Sequence, residues 1–246
     1  MTIRPCAALL LLALAPAAAL AQKTPMPVSD APPPPSYGAP HIIGFGGVGL
    51  DLALPTGNFK NYVSVGGGFD GFFALKLVPS GALSLRLDLT VLLYGSETRQ
   101  YPLVPLIDVD VTTSNTILGL NIGPQFMATS GRIRPYAMGG IGFSYFNTSS
   151  SVSGTDNSES FANSTNFGDG TFAVRAGGGL WIQVGHGRTP VWIDLGAQYV
   201  WNGQVSYLRP GSIDLGPPVV YHPIRSETHL WMIHAGVSAA IAPKGS

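Results

Sequence analysis

The sequence predicts an all-β chain, an eight-stranded antiparallel up-and-down barrel, and three observations predict it. Eight stretches alternate apolar and polar side chains with a period of two. The segments between them alternate between tight turns and long connections. Beyond the first 21 residues, glycine or a polar residue breaks every apolar run before the ~18 residues a spanning helix needs.

Ala82–Tyr94, ALSLRLDLTVLLY, is the clearest stretch. Leu83, Leu85, Leu87, Leu89, Val91 and Leu93 share one parity, and Ser84, Arg86, Asp88 and Thr90 share the other. A strand sends alternate side chains to opposite faces, whereas a helix would scatter the two ions among the leucines. The stretch is of the order of the ~10 residues a tilted strand needs to cross a bilayer. In a soluble sandwich the leucines would point inward. In a membrane barrel they meet lipid and the ions fill the lumen.

The chain has 246 residues, 11% of them charged, with no formal net charge. Such a neutral balance offers no basic stripe for nucleic acid. Met1–Ala21 reads as a secretory signal peptide. Arg4 supplies the positive start, Ala7–Leu14 the apolar stretch and Ala19-Leu20-Ala21 the cleavage site. Gln22–Pro40, with Pro32-Pro33-Pro34-Pro35, reads as an extended periplasmic linker. Residues 41–246 are the expected barrel domain. The one cysteine, Cys6, lies in the signal segment, so disulfides and thiolate metal sites are excluded from the rest.

The strands follow in order. Ile42–Leu54 sets Val48, Leu50, Leu52 and Leu54 against Asp51. Val63–Val78 sets Phe69, Phe73, Leu75 and Leu77 against Asp70 and Lys76. Ala82–Tyr94 is third. Thr112–Met127 sets Leu118, Leu120, Ile122 and Phe126 against Asn115, Asn121 and Gln125. Ile133–Phe146 sets Ile141, Phe143 and Tyr145 against Arg134, Tyr136 and Ser144. Thr171–Val184 sets Phe172, Val174, Leu180 and Ile182 against Arg175 and Gln183. Val191–Trp201 sets Ile193, Leu195, Tyr199 and Trp201 against Asp194 and Gln198. Thr228–Ile241 sets Trp231, Ile233 and Val237 against His234 and Ser238.

Pro79–Gly81, Thr129–Gly131 and Gly185–Thr189 are the tight turns. Gly95–Val111, Asn147–Gly170 and Asn202–Glu227 are the long connections, on the opposite end, with Pro55–Tyr62 intermediate. Short turns on one side and longer loops on the other are the outer-membrane arrangement. Tyr145, Phe172, Tyr199, Trp201 and Trp231 face outward by parity, near the long-connection end. They form the expected lipid-interface girdle. Asn147–Gly170 is rich in serine, asparagine and glycine, and is expected to be a mobile outside loop.

Arg134-Pro-Tyr-Ala-Met-Gly-Gly-Ile-Gly-Phe resembles the R-P-Y-x-x-G-G-x-G strand of the small bacterial outer-membrane β-barrel domains. That family includes the OmpA transmembrane domain, OmpX/Ail and the opacity-like proteins. Asn121-Ile-Gly-Pro-Gln-Phe, Phe172–Leu180 and Val191–Tyr199 resemble its neighbouring strands, so the resemblance spans about Ile42–Ile241. It implies an eight-stranded, monomeric barrel in the outer membrane. Its partners would be membrane lipid, lipopolysaccharide and the barrel-assembly machinery. Family barrels end on an aromatic residue, whereas this sequence ends Ile241-Ala-Pro-Lys-Gly-Ser, so an internal or weak assembly signal is expected.

Eight strands enclose a space that side chains fill. By parity the lumen receives Asp51, Asp70, Asp88 and Asp194 with Lys76, Arg86, Arg134 and Arg175, plus His234. The signs balance, and buried charges must be paired, so a salt-bridge network plugging the lumen is expected. His234 and Ser238 share the inward face but lie about 13 Å apart along one strand, too far for a nucleophile and its base. No catalytic residue or cofactor is expected. His41, His186, His222 and His229 lack ligand spacing, and Asp108 and Asp110 fit a solvated loop better than a calcium site, so no metal site is expected. The expected role is structural or adhesion-type recognition, with 147–170 and 202–227 meeting any surface ligand. A narrow gated pore is the alternative, and a lipid-modifying enzyme the third.

Overall fold

A computed structural model describes residues 42–104, 107–154, 160–185, 189–208, 212–214 and 220–242. The expected signal segment and proline arm lie outside them. Eight long strands form: β1 (Gly44–Pro55), β2 (Gly66–Lys76), β3 (Leu83–Val104), β4 (Ile107–Met127), β5 (Ile133–Gly154), β6 (Ser160–Gly185), β7 (Val191–Asn202) and, last, β12 (Leu230–Ile241). Between β7 and β12 run four short ones: β8 (Gln204–Tyr207), β9 (Ile213–Asp214), β10 (Val220–Tyr221) and β11 (Ile224–Glu227). The eight long strands close into one barrel, in which β12 returns to pair antiparallel with β1. All eight predicted strands are present at their predicted places.

The faces follow the alternation. Leu89 is 59% exposed and Leu85, Leu87 and Leu93 stand beside it on the outer surface, while Arg86 and Asp88 are buried at 3% and 5%. Leu50, Phe73, Leu120, Ile141, Leu180, Leu195 and Ile233 carry the same oily exterior around the barrel. Closure gives the backbone groups of neighbouring strands partners on both sides, which hydrocarbon requires. Gly81, in the β2–β3 turn, has a φ of +79°, which a side chain would strain.

Two of the expected loops are strands. Residues 95–104 pair with 107–115, and 147–153 pair with 160–168. With β4 and β5 also paired, β3–β6 continue as a four-stranded wall beyond the aromatic level. Low apolar content suggested a loop at Asn147–Gly170. Above the bilayer, however, both faces of a sheet meet water and neither needs to be oily. Threonine suits a strand, and the rows are tied by hydroxyl bonds: Thr98 to Thr112 at 2.9 Å, Thr113 to Ser150 at 2.8 Å, and Thr148 Oγ1 donating to Asn115 Oδ1 at 2.7 Å. A register shift between Leu93 and Gly95 bends β3 where it leaves the barrel.

Candidate functional site: the filled lumen

The lumen is filled in three layers. At the tight-turn end, Phe45, Phe72, Met127, Tyr136, Trp181 and Trp192 pack as one cluster. The Trp181 ring lies 5.4 Å from Trp192 and 5.3 Å from Phe45. At the long-hairpin end, Phe59, Tyr94, Phe146, Val205 and Tyr207 pack with the barrel's Leu92, Ile117 and Met232. Phe59 comes from a short 3₁₀ turn after β1, and Val205 and Tyr207 come from β8, which folds onto the barrel mouth. Asp169 on β6 anchors that fold, since its Oδ2 accepts the Ser206 backbone N–H at 2.8 Å. Neither apolar layer was foreseen from parity. Their phenyl and indole rings sit on the inward face among polar neighbours, and Phe59 and Val205 come from connections.

Between these lids lies the ionic layer. Arg86 Nε donates to Asp88 Oδ1 at 2.7 Å, and its Nη1 donates to Gln125 Oε1 at 3.0 Å. The same guanidinium lies 3.7 Å from the centre of the Phe72 ring, a cation–π contact joining the ionic layer to the lower lid. Arg175 Nη1 donates to Thr90 Oγ1 at 3.0 Å. Tyr136 Oη donates to Asp194 Oδ1 at 2.9 Å, and Ser238 Oγ donates to Asp194 Oδ2 at 3.3 Å. His234 Nδ1 stands 3.0 Å from Asp70 Oδ1 and 3.5 Å from Asp51 Oδ1, and its Nε2 stands 3.7 Å from Asp194 Oδ2. The register makes this gathering: Asp51 is cross-strand partner of His234, and Asp70 is partner of Gly49, two residues from Asp51. A Cβ at Gly49 would overlap the His234 ring, so the glycine makes the room the imidazole occupies.

Two expected members of the network stand elsewhere. Lys76 is the last residue of β2 and only half-buried, beside the Gly81 turn. Arg134, second in β5, is also half-buried; its Nε donates to the Gly131 carbonyl and its guanidinium lies 5.2 Å from the Trp192 ring centre. Parity gives the face but not the depth, and both cations belong to the rim. The expected sign balance fails with them. Among the described residues, four buried carboxylates (Asp51, Asp70, Asp88 and Asp194) face two buried guanidiniums and one imidazole.

His234 and Ser238 do come together, though not with each other: both meet Asp194. Ser238 donates its hydroxyl hydrogen bond to the carboxylate, away from the imidazole, inside a closed interior. Outside, Tyr145, Phe172, Trp201 and Trp231 are exposed on the outer face. Tyr199 lies 4.5 Å from Trp201 and 5.0 Å from Trp231, ring centre to ring centre, and its hydroxyl is 3.0 Å from Thr56 Oγ1.

A closed antiparallel sheet with oily exterior, ionic interior and an aromatic rim is a transmembrane β-barrel of the outer-membrane class. In outline it is similar to the solved structure of Neisserial surface protein A (14% identity over 80% of this chain and 97% of that one, TM-score 0.43). It is also similar to Ail, the attachment invasion locus protein of Yersinia pestis (15%, 79% and 98%, 0.38), and to OprG from Pseudomonas aeruginosa (9%, 83% and 99%, 0.37). No protein-family model and no curated protein matches the chain. The assignment to the class rests on the closed sheet and the placement of its charges.

Proposed function

We propose that the chain is a surface-recognition protein of the outer membrane, in which a sealed, non-catalytic barrel holds a polar wall outside the cell. The observation that carries this reading is the continuation of β3–β6 past the aromatic rim. From Tyr145 to Gly154 is nine residues, roughly 30 Å of strand. On β3 the edge from Gly95 onward has no partner in β2, whose pairing stops at Leu93. Such an edge offers backbone donors and acceptors to another chain. The three filled layers favour recognition over a gated pore, because each would have to part for an ion to cross. Residues 147–154 and 160–170 belong to one hairpin of the wall, and the Gln204–Tyr207 part of 202–227 lies against the upper lid. Contacts with lipopolysaccharide and with the assembly machinery belong to the same proposal, as does the monomeric state.

The test is cell-binding. Cells displaying the chain are offered to panels of polysaccharide, matrix protein and foreign cell envelope. They are compared with cells whose residues 97–111 and 149–165 are replaced by tight turns. Binding lost on shortening, with barrel yield unchanged, is the expected result. Equal binding by both, together with steady conductance in planar bilayers, would favour the pore.

A further inference from the structure

The excess of carboxylates in the ionic layer is concentrated at one place. Asp51, Asp70 and His234 bring one ligand atom each within 4.8 Å of one another, and all three residues are buried. Both oxygens of Asp51, Oδ1 of Asp70 and both ring nitrogens of His234 lack a well-aligned hydrogen bond among the described residues, although Nδ1 lies in ion-pair range of both carboxylates. The Asp51 side chain has no solvent exposure. An imidazolium does not resolve this. Its Nδ1–H points along one line and serves one acceptor, while two carboxylates converge on it. Leaving a buried carboxylate unserved is costly.

We propose that Asp51, Asp70 and His234 bind one divalent transition-metal ion, with zinc the best fit, inside the barrel wall. The donor set is one imidazole nitrogen and two carboxylate oxygens, a mixture zinc accepts. A tetrahedral zinc site with bonds of about 2.0–2.2 Å holds its ligand atoms about 3.3–3.6 Å apart. Nδ1 stands 3.0 and 3.5 Å from the two oxygens. The other ring nitrogen faces Asp194, the carboxylate that orients a metal-bound histidine in many sites. Asp194 is itself fixed by Tyr136 and Ser238. A void of about 10 Å³ bordered by Asp70, Gln198 and His234 has room for a single water as fourth ligand. Gln198 Oε1, buried and without a partner, borders it as an acceptor.

Three strands supply the ligands: β1, β2 and β12. β1 and β12 meet at the seam where the first and last strands close the barrel. The ion therefore links the barrel's first and last strands across the closing joint and neutralises the surplus of negative charge.

The full chain is refolded from urea into detergent micelles with zinc or with EDTA, then dialysed against metal-free buffer. Metal is counted by mass spectrometry, and folding is followed by gel mobility with and without heating. The expected result is about one zinc per folded chain. It should persist in His222→Gln/His229→Gln and vanish in Asp51→Asn and in His234→Gln. Asp194→Asn should weaken zinc binding about 10–100-fold. Where a variant fails to fold, cobalt in the unaltered chain decides. Strong visible bands of a tetrahedral site, erased by one equivalent of zinc, support the proposal. A folded barrel that retains no ion, retains it equally after Asp51→Asn, or gives only the weak spectrum of hydrated cobalt overturns it.

Discussion

The ionic layer and the upper lid fill the same cylinder by different means. The ionic layer is made of side chains on the inward parity of long strands, held by directed bonds such as Arg86 to Asp88. The upper lid mixes strand residues with Phe59, Val205 and Tyr207 from the connections, held by contact between rings. The difference is one of failure. Removing one partner of a buried ion pair leaves an uncompensated charge, whereas removing a ring leaves a hole that neighbours partly fill.

Arg86→Ala should therefore be the most damaging change, lowering stability by about 3–5 kcal/mol because buried Asp88 loses the one guanidinium bonded to it. Urea unfolding in micelles measures it. Replacing Arg86 and Asp88 together by apolar residues should recover much of that loss; no recovery would mean that the pair is not what holds the layer. Phe59→Ala should cost about 3–5 kcal/mol at most, less where β8 settles into the gap. It should leave planar bilayers without steady conductance, since two layers remain closed. On the outer face, Leu87→Arg sets a charge against the lipid and should impair folding into vesicles by about 2–4 kcal/mol.

Much of this was legible in the sequence. Strict alternation in ALSLRLDLTVLLY fixes the strand and its faces together, because a one-residue slip would reverse every side chain. On the same parity Asp51, Asp70, Asp88, Arg175, Asp194 and His234 are buried. Depth along the strand is not encoded in parity, so Lys76 and Arg134 were assigned to a network whose level they do not reach. Chain closure is not local either. The meeting of Asp51 with His234 joins residues from the first and last strands, and no spacing motif announces it. The wall at 147–154 and 160–170 was hidden because polar composition marks a loop only where one face of a sheet has to be buried.

Two smaller effects sharpen the contrast between the core and the wall. Thr113→Ala, which breaks the hydroxyl contact to Ser150, should change stability by only about 0.2–1 kcal/mol. It should instead speed amide exchange in the β4–β5 rows above the rim. Above the rim too, the Ser206 backbone N–H holds the Asp169 carboxyl below its ordinary value of 3.8. The β6–β8 tie is then fully present above that value and lost as pH falls through the lowered one. Acid should free the Ser206 amide to exchange before the barrel opens, and Asp169→Asn should abolish that pH dependence. Exchange at Ser206 that ignores pH in the unaltered chain would remove Asp169 from this role.

The most direct measurement of the reversed faces is a spin-label scan of β3 in lipid vesicles. With Cys6→Ser as background, single cysteines are placed at Ser84, Leu85, Leu87, Leu89 and Thr90. Labels at Leu85, Leu87 and Leu89 should be strongly relaxed by oxygen dissolved in the bilayer, and those at Ser84 and Thr90 should be immobile and shielded from it. The opposite alternation, with the leucine positions shielded and the polar positions open to lipid, would contradict the barrel as described.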